Sequence, residues 1–282
     1  MSDHPALAAG NVAVITGAAS GIGLAAAERF ASRGMQVCLA DVTADALAAA
    51  SAKVAGLARD PADVMHMVTD VANETALQRL KDAAYARFGA VHVLMANAGV
   101  EPVGRALEAG AAWTRIIEIN LWGVIRTVQT FAPAMIGQGS AGAIVSTGSK
   151  QGITTPPGNT AYNVAKAGVK VFTEAVAHEL REQPGCRITA HLLVPGFTFT
   201  GFTRARTQTK PAGAWMPEQV IDFMMARMAE GDFYILCPDN DVTREMDNKR
   251  MLWAAQDLIE NRPALSRWHP DWKDAFARFM QS

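Results

Sequence analysis

The feature that most constrains the fold is a glycine-rich turn, TGAASGIG, at residues 16–23. An apolar run at 11–16 leads into it, and 21–33 has the apolar spacing of a helix. Glycines at such a junction let backbone N–H groups approach a pyrophosphate, and the positive end of the helix dipole adds to the attraction. A tight turn that needs glycine only for steric reasons is the alternative. The strand before the turn and the helix after it favour phosphate binding.

Apolar runs and helical patterns alternate along most of the chain. The near-continuous apolar runs suit strands that are buried on both faces, as in a parallel sheet covered by helices. The sequence therefore predicts an α/β fold in a single domain over 1–282, a Rossmann-type doubly wound parallel seven-stranded sheet with helices on both faces. The predicted strands are 11–16, 35–40, 64–69, 91–96, 143–147, 187–194 and 233–237, and the main helices are 21–33, 73–88, 106–136, 160–182 and 218–229.

The composition excludes several classes of protein. Half of the 282 residues are hydrophobic and the net charge is −1, so neither disorder nor a nucleic-acid partner is expected. The longest apolar run is shorter than the roughly 18 residues of a membrane span, so no membrane partner is expected. The three cysteines form no metal-binding pattern, and the first residues do not resemble a signal peptide. We therefore expect a cytoplasmic protein without a metal.

The pattern changes after the sixth strand. Residues 197–231 are predicted to include a substrate lid, in which Arg204, Arg206 and Lys210 could bind a carboxylate or phosphate, or could simply face solvent. The tail, 239–282, carries three of the six tryptophans, so we expect it to fold back onto the body. We expect the tail either to close the substrate pocket or to contact another subunit.

Asp41 ends the second predicted strand, 24 residues after Gly17. An acid near this spacing accepts hydrogen bonds from the adenosine ribose hydroxyls of a dinucleotide. A carboxylate there repels a 2′-phosphate, and no Arg or Lys stands beside it, so the sequence favours NAD over NADP. An aspartate that only caps a helix or a turn is the alternative interpretation.

Tyr162 and Lys166 stand four residues apart in a helical segment, on the same face. A phenol is a poor base, but a neighbouring ammonium group stabilises the phenolate and lowers the pKa. Tyr162 could then act as a general acid or base. A Tyr and a Lys at this spacing are common by chance. The pair is informative here because it follows the fifth strand of a predicted dinucleotide-binding fold.

Together these motifs resemble the short-chain dehydrogenase/reductase family, in its shorter single-domain branch. The matching pieces follow the family's order along 11–200. They are the turn at 16–23, Asp41, Asp70-Val71, Asn97-Ala98-Gly99, Asn120, Ser149, Tyr162 with Lys166, and Pro195-Gly196 followed by Thr200.

The resemblance implies a role for each of four catalytic residues. Ser149 would hydrogen-bond the substrate oxygen, and Tyr162 would exchange a proton with it. Lys166 would lower the pKa of Tyr162 and bind the nicotinamide ribose. Asn120 would kink its helix and hold a water that links Lys166 to solvent.

The resemblance also implies a cofactor site, with the hydride transfer left to the cofactor. Asp70 and Val71 would contact adenine, and the residues after the sixth strand would contact the nicotinamide carboxamide. The implied set is Thr16, Gly17, Ser20, Gly21, Ile22, Gly23, Asp41, Asp70, Val71, Asn97, Ala98, Gly99, Tyr162, Lys166, Pro195, Gly196, Thr198 and Thr200.

The implied function is NAD-dependent interconversion of a secondary alcohol and a ketone, on a small-molecule substrate that is partly apolar or aromatic. A dihydrodiol-type dehydrogenase, a double-bond reductase and a catalytically silent NAD-binding protein are the alternatives. A homodimer or homotetramer packed through 106–136 and 160–182 is implied by the family alone. The chain departs from the family pattern in Gly148 before Ser149 and in the LCPDND sequence after the seventh strand, with a longer tail.

Overall fold

A parallel sheet of seven strands forms the centre of the computed structural model, which describes residues 3–201, 207 and 209–281. The strands are β1 Val12–Thr16, β2 Gln36–Asp41, β3 Val64–Val68, β4 Val93–Ala96, β5 Gly142–Thr147, β6 Ile188–Val194 and β7 Tyr234–Leu236. Their order in the sheet is β3-β2-β1-β4-β5-β6-β7, and every neighbouring pair is parallel. This confirms the predicted doubly wound sheet.

Helices cover both faces of the sheet. They are α1 Gly21–Ser32, α2 Ala44–Ala55, α3 Glu74–Phe88, α4 Ala111–Ile116, α5 Gly123–Gly137, α6 Gln151–Thr154, α7 Thr160–Glu182, α8 Pro217–Ala229, α9 Arg244–Ile259 and α10 Lys273–Gln281. On one face α1, α2 and α8 pack into one apolar core, and on the other α3, α5 and α7 pack into a second. Strand β1 is central and all five of its residues are buried, whereas β3 is an edge strand with exposed positions.

The helix predicted over 106–136 differs from the structure in two ways. It begins at Ala111, because Gly110 adopts an extended backbone and occupies the N-cap position. Its middle, Ile117–Trp122, is a π-helical segment between α4 and α5. Such insertions occur mostly as short bulges at functional sites. The predicted start at 106 is therefore wrong, and the segment that carries Asn120 is locally wider than an α-helix.

The tail folds back onto the body, as the aromatic content predicts. Trp253 on α9 is 4% exposed and meets the rings of Trp272 and Phe276 edge-on, at 6.2 and 5.3 Å between centroids. The Arg262 guanidinium lies 4.5 Å from the Trp253 ring centroid. These contacts form a small aromatic core between α9 and α10, and α9 packs in turn against α6.

Residues 3–201, 207 and 209–281 contain neither a membrane-spanning helix nor a cluster of metal ligands. No helix there is long and apolar enough to cross a membrane. The same residues contain no cluster of His, Cys, Asp and Glu side chains suited to a metal ion. Cys38, Cys186 and Cys237 are free thiols.

Candidate active site

A cavity of about 420 Å³ opens at the carboxyl ends of β1, β2, β4, β5 and β6. The strand order reverses between β1 and β4, the position at which open α/β sheets bind their ligands. Of the predicted residues, the cavity is lined by Gly17, Ser20, Gly21, Ile22, Asp41, Asn97, Gly99, Ser149, Tyr162, Lys166, Pro195, Gly196, Thr198 and Thr200. The predicted residues that do not line it are Thr16, Gly23, Asp70, Val71, Ala98 and Asn120.

The glycine-rich turn brings backbone segments closer together than side chains allow. Gly17 has a φ of +67°, and a Cβ there would lie 2.8 Å from the Ala98 Cα. Gly21 also has a positive φ, of +56°. A Cβ on Gly23 would lie 2.3 Å from the Gly17 carbonyl oxygen, so this glycine lets α1 approach β1. The turn therefore offers backbone N–H groups at a helix N-terminus, which fits a pyrophosphate.

Thr16 and Asn97 hold the glycine-rich turn in place through hydrogen bonds between the ends of β1 and β4. The Thr16 hydroxyl accepts hydrogen bonds from the backbone N–H groups of Asn97 and Ala98, at 3.0 and 3.2 Å. The Asn97 side chain donates to the Thr16 carbonyl at 3.1 Å and accepts from the Thr147 hydroxyl at 3.1 Å. Three strand ends are thus joined, and Thr16 and Ala98 position the turn without lining the cavity.

Asp41 is both a turn residue and a cavity residue, so the two interpretations of it are compatible. One carboxylate oxygen accepts from the Ala19 N–H of the glycine-rich turn, and the other from the Thr43 N–H, each at 3.1 Å. Each oxygen keeps a further lone pair for a ligand hydroxyl. Among the described lining residues, the basic ones are Lys150 and Lys166, which come from the end of β5 and from α7.

Asp70 and Val71 lie at the end of β3, outside the cavity lining. The Asp70 carboxylate is exposed and accepts from the Ala72 N–H at 2.9 Å. Val71 is buried, and its side chain leaves no room for a Cβ on Gly123 at the start of α5. Their adenine contacts stay predictions.

Three of the predicted catalytic residues, Ser149, Tyr162 and Lys166, lie together where α7 passes the end of β5. Lys166 is 4% exposed, and its Nζ donates to the Thr147 carbonyl at 2.8 Å and lies 5.7 Å from the Tyr162 ring centroid. Gly152 makes this approach possible, since a Cβ there would lie 2.4 Å from the Lys166 carbonyl carbon. The loop carrying Ser149 is thereby held against α7.

Burial sets the proton affinities of this pair. Burial lowers the pKa of Lys166 to about 8. Burial raises the pKa of Tyr162 well above its usual value, the charge of Glu101 raises it further, and a hydrogen bond with Ser149 opposes both. Desolvation of the phenolate is the largest influence on the pKa of Tyr162 in this structure, and the lowering of that pKa by Lys166 stays a prediction.

Asn120 is fully buried in the π-helical segment. Its side chain accepts from the Val100 N–H and donates to the Val100 carbonyl, each at 2.8 Å. The helix is π-helical at this point, and the side chain holds the loop after β4. The kink assigned to Asn120 stays a prediction. The water that would link Asn120 to Lys166 stays a prediction.

The predicted lid region lies partly outside the residues that the structure describes. Arg204 and Arg206, which the sequence offers as possible ligands of a carboxylate or phosphate, lie outside the described residues. Lys210 Nζ donates to the Pro211 carbonyl at 3.4 Å. At the start of the predicted lid region two backbone hydrogen bonds join Trp215 to the segment after β6. The Phe199 N–H donates to the Trp215 carbonyl, and the Trp215 N–H donates to the Phe197 carbonyl, each at 2.8 Å.

The cavity also contains residues that the sequence motifs did not single out. Glu101, Gln151 and Phe197 line the cavity together with Ser149 and Tyr162. Lys150 also lines it and was missed. The sequence carries no local signal for Lys150, because its ion-pair partners, Asp239 and Asp247, are remote in the chain.

A family model described as short chain dehydrogenase matches residues 11–211. SadH of Mycobacterium tuberculosis, described only as an oxidoreductase, is 39% identical over 173 residues, and the match covers 61% of this chain and 61% of that relative.

Two further matches cover more of the chain. The cis-4-hydroxycyclohexanecarboxylate dehydrogenase of Sinomonas cyclohexanicum is 38% identical over 78% of this chain and 82% of that protein. A crystal structure of a short chain dehydrogenase/reductase from Burkholderia phymatum in complex with NAD is 33% identical, with a TM-score of 0.82 over 93% of this chain and 98% of that chain.

Proposed function

We propose that this chain, which belongs to the short-chain dehydrogenase family, is an NAD-dependent oxidoreductase that interconverts a secondary alcohol and a ketone. One observation carries the proposal: Ser149, Tyr162 and the buried Lys166 line the same cavity as the glycine-rich turn. The proposed proton-transfer groups and the proposed dinucleotide site are therefore parts of one cavity.

The residues fit a nicotinamide dinucleotide. The turn at 16–23 would hold the pyrophosphate, Asp41 the adenosine ribose, and the segment 195–200 the nicotinamide. The Asp41 carboxylate beside the turn supports NAD over NADP, because it would repel a 2′-phosphate. When bound, the cofactor supplies hydride transfer.

The protein's own contribution is positioning and proton transfer. The Ser149 hydroxyl would donate a hydrogen bond to the substrate oxygen and hold it beside the Tyr162 phenol. Tyr162 would take the alcohol proton during oxidation and return one during reduction. Lys166, with its pKa near 8 and its Nζ fixed on the Thr147 carbonyl, would exchange protons with solvent.

The proposed substrate is a partly apolar or aromatic secondary alcohol. Phe197 lines the cavity and is 44% exposed, so it offers an apolar surface beside Ser149 and Tyr162. The relative that acts on cis-4-hydroxycyclohexanecarboxylate, by its name, supports a ring alcohol as the first substrate to test.

The test is NAD-linked turnover of aliphatic, cyclic, aryl and dihydrodiol alcohols, followed by NADH absorbance with product analysis. Activity with NAD that exceeds activity with NADP supports the proposal. A phenolic or catechol product would support the dihydrodiol alternative, and reduction of a carbon–carbon double bond would support the reductase. NADH binding without any turnover would support the catalytically silent protein.

We also propose a homodimer or homotetramer in the cytoplasm. Trp122, Val164 and Val171 on the π-helical segment and α7 are apolar and 44, 45 and 63% exposed, which supports a subunit contact there. The three free thiols support a reducing compartment. Light scattering of the purified protein would measure the assembly.

A further inference from the structure

A group of buried charges joins the tail to the active site. Lys150 follows Ser149 directly, and its Nζ lies 2.6 Å from a carboxylate oxygen of Asp247 on α9. The same Nζ lies 3.5 Å from a carboxylate oxygen of Asp239, in the loop after β7. The three side chains are only 17, 6 and 5% exposed, in the order Lys150, Asp247, Asp239. Charges this buried need their partners, because water cannot replace them.

Asp239 links Lys150 to the turn at Gly196-Phe197, in the segment 195–200 that is proposed to hold the nicotinamide. The oxygen that faces Lys150 also accepts the Phe197 N–H, at 3.1 Å. Its other oxygen accepts the Val242 N–H at 2.8 Å, which fixes the carboxylate in its own loop. A Cβ on Gly196 would lie 2.8 Å from Asp239, so the two loops are in direct contact.

The tail helix holds the far end of this chain of contacts. Asp247 lies in the first turn of α9, and Arg250, one turn later, places its guanidinium 3.7 Å from the second Asp247 oxygen. Trp253 anchors the same helix in the aromatic core of the tail, and its Nε1 donates to the Ser266 hydroxyl at 2.7 Å. The carboxylate of Asp247 is therefore set by the packing of the whole tail.

We propose that the tail is a positioning element for nucleotide binding: Asp247 holds Lys150 against Asp239, and Asp239 holds the Gly196-Phe197 turn that faces the nicotinamide. Asp239, Asp247 and Lys150 are positioning residues and need not touch the substrate. This inference rests on the proposed function, because it takes the turn after β6 as the nicotinamide side of the cavity.

The test is the affinity of the full-length protein for NAD⁺ and for NADH, measured by calorimetry and NADH fluorescence without any substrate. Asp247→Asn keeps the side-chain shape and removes one negative charge. We expect weaker binding of both nucleotides, because the turn loses its support. The loss should be larger for NAD⁺, by about tenfold, since its nicotinamide ring is cationic and Lys150 has lost its nearest counter-charge.

Glu245→Gln is the matched control, since Glu245 lies on the same turn of α9, is 79% exposed and pairs only with Lys249 among the described residues. It should leave both affinities unchanged. If Asp247→Asn does not fold, the double variant Lys150→Met/Asp247→Asn removes one charge of each sign. That variant should weaken both nucleotides by the same factor, which restores the wild-type ratio of the two dissociation constants.

Three results separate the inference from the proposed function. A wild-type protein that binds neither nucleotide contradicts the proposed function. A wild-type protein that binds, with a folded Asp247→Asn or double variant of unchanged affinities, overturns only the positioning role. A lower melting temperature with both affinities unchanged also overturns it, because that is the effect of a purely structural ion pair.

Discussion

At the scale of single residues, burial acts in opposite directions on the pKa values of the proposed proton-transfer pair, Tyr162 and Lys166. It raises the pKa of Tyr162 and lowers that of Lys166 to about 8. Glu101 raises the pKa of both groups. In the proposed reaction the phenol is therefore protonated at rest and can donate to a carbonyl oxygen, whereas alcohol oxidation requires its deprotonation.

Glu101→Gln should move the acid limb of the pH–rate profile for alcohol oxidation to lower pH. The carboxylate raises the pKa of Tyr162, so its removal lowers the pH at which the phenolate forms. The measurement is kcat/KM against pH for the best alcohol.

Glu108→Gln is the control for this prediction. Glu108 lies in the same loop and is an exposed partner of Arg105, at 3.5 Å. Its substitution should leave the limb in place. An acid limb that stays put in Glu101→Gln, or that moves equally in both variants, would contradict the role assigned to Glu101.

At the scale of secondary-structure elements, the site depends on how closely α1 approaches β1. Gly23→Ala should destabilise the protein by about 1–3 kcal/mol, the usual effect of an added methyl group in a filled space. It should also weaken NADH binding, because the added Cβ would press on the Gly17 carbonyl at 2.3 Å and displace the turn. Urea denaturation and NADH fluorescence measure the two effects.

Gly137→Ala is the matched helical control, since nothing lies within 4 Å of a Cβ at that position. Its stability should be unchanged or higher, because alanine has the better helix propensity. Equal stability and equal NADH affinity in both variants would show that the close approach of α1 is not required.

The elements and motifs were predictable wherever the signal is local. The apolar runs predict the seven strands, the glycine-rich turn predicts one wall of the cavity, and the spacing of Tyr162 and Lys166 predicts that both side chains lie on the same side of their helix. The later helix start at Ala111 was missed because 106–110 continues an apolar helical pattern. The contacts of Lys150 were missed because they join residues far apart in sequence. The direction of the Tyr162 pKa depends on burial, which no spacing reveals.

At the scale of the whole molecule, a buried histidine ties three distant parts of the chain together. His191 on β6 contacts the Asp232 carbonyl before β7 at 2.7 Å and the Thr189 hydroxyl at 2.8 Å. The Thr189 hydroxyl also contacts His4, near the chain start, at 3.2 Å. Burial lowers the pKa of His191 to about 4, against 6.5 for an exposed histidine.

Acid should therefore destabilise the fold through His191. Between about pH 6.5 and pH 4 the unfolded chain binds a proton that the folded chain does not, so the free energy of unfolding falls as the pH falls. The contribution of one such group is at most about 3 kcal/mol. His191→Gln should have a shallower dependence of unfolding free energy on pH across this range.

His178→Gln is the control for the acid effect, because His178 is exposed on α7. Its pH dependence should match that of the wild-type protein. A His191→Gln variant with an undiminished slope would contradict the assignment. Some slope should remain in every variant, because burial also lowers the pKa of His4.

The most direct test of the central claim compares wild-type protein with Tyr162→Phe, using NAD and the best secondary alcohol. The account predicts that Tyr162→Phe still binds NADH but loses about 10²- to 10⁴-fold in kcat, the usual contribution of a positioned general acid or base. Turnover that survives the loss of the phenol hydroxyl would contradict Tyr162 as the proton-transfer group, and with it the proposed alcohol–ketone chemistry.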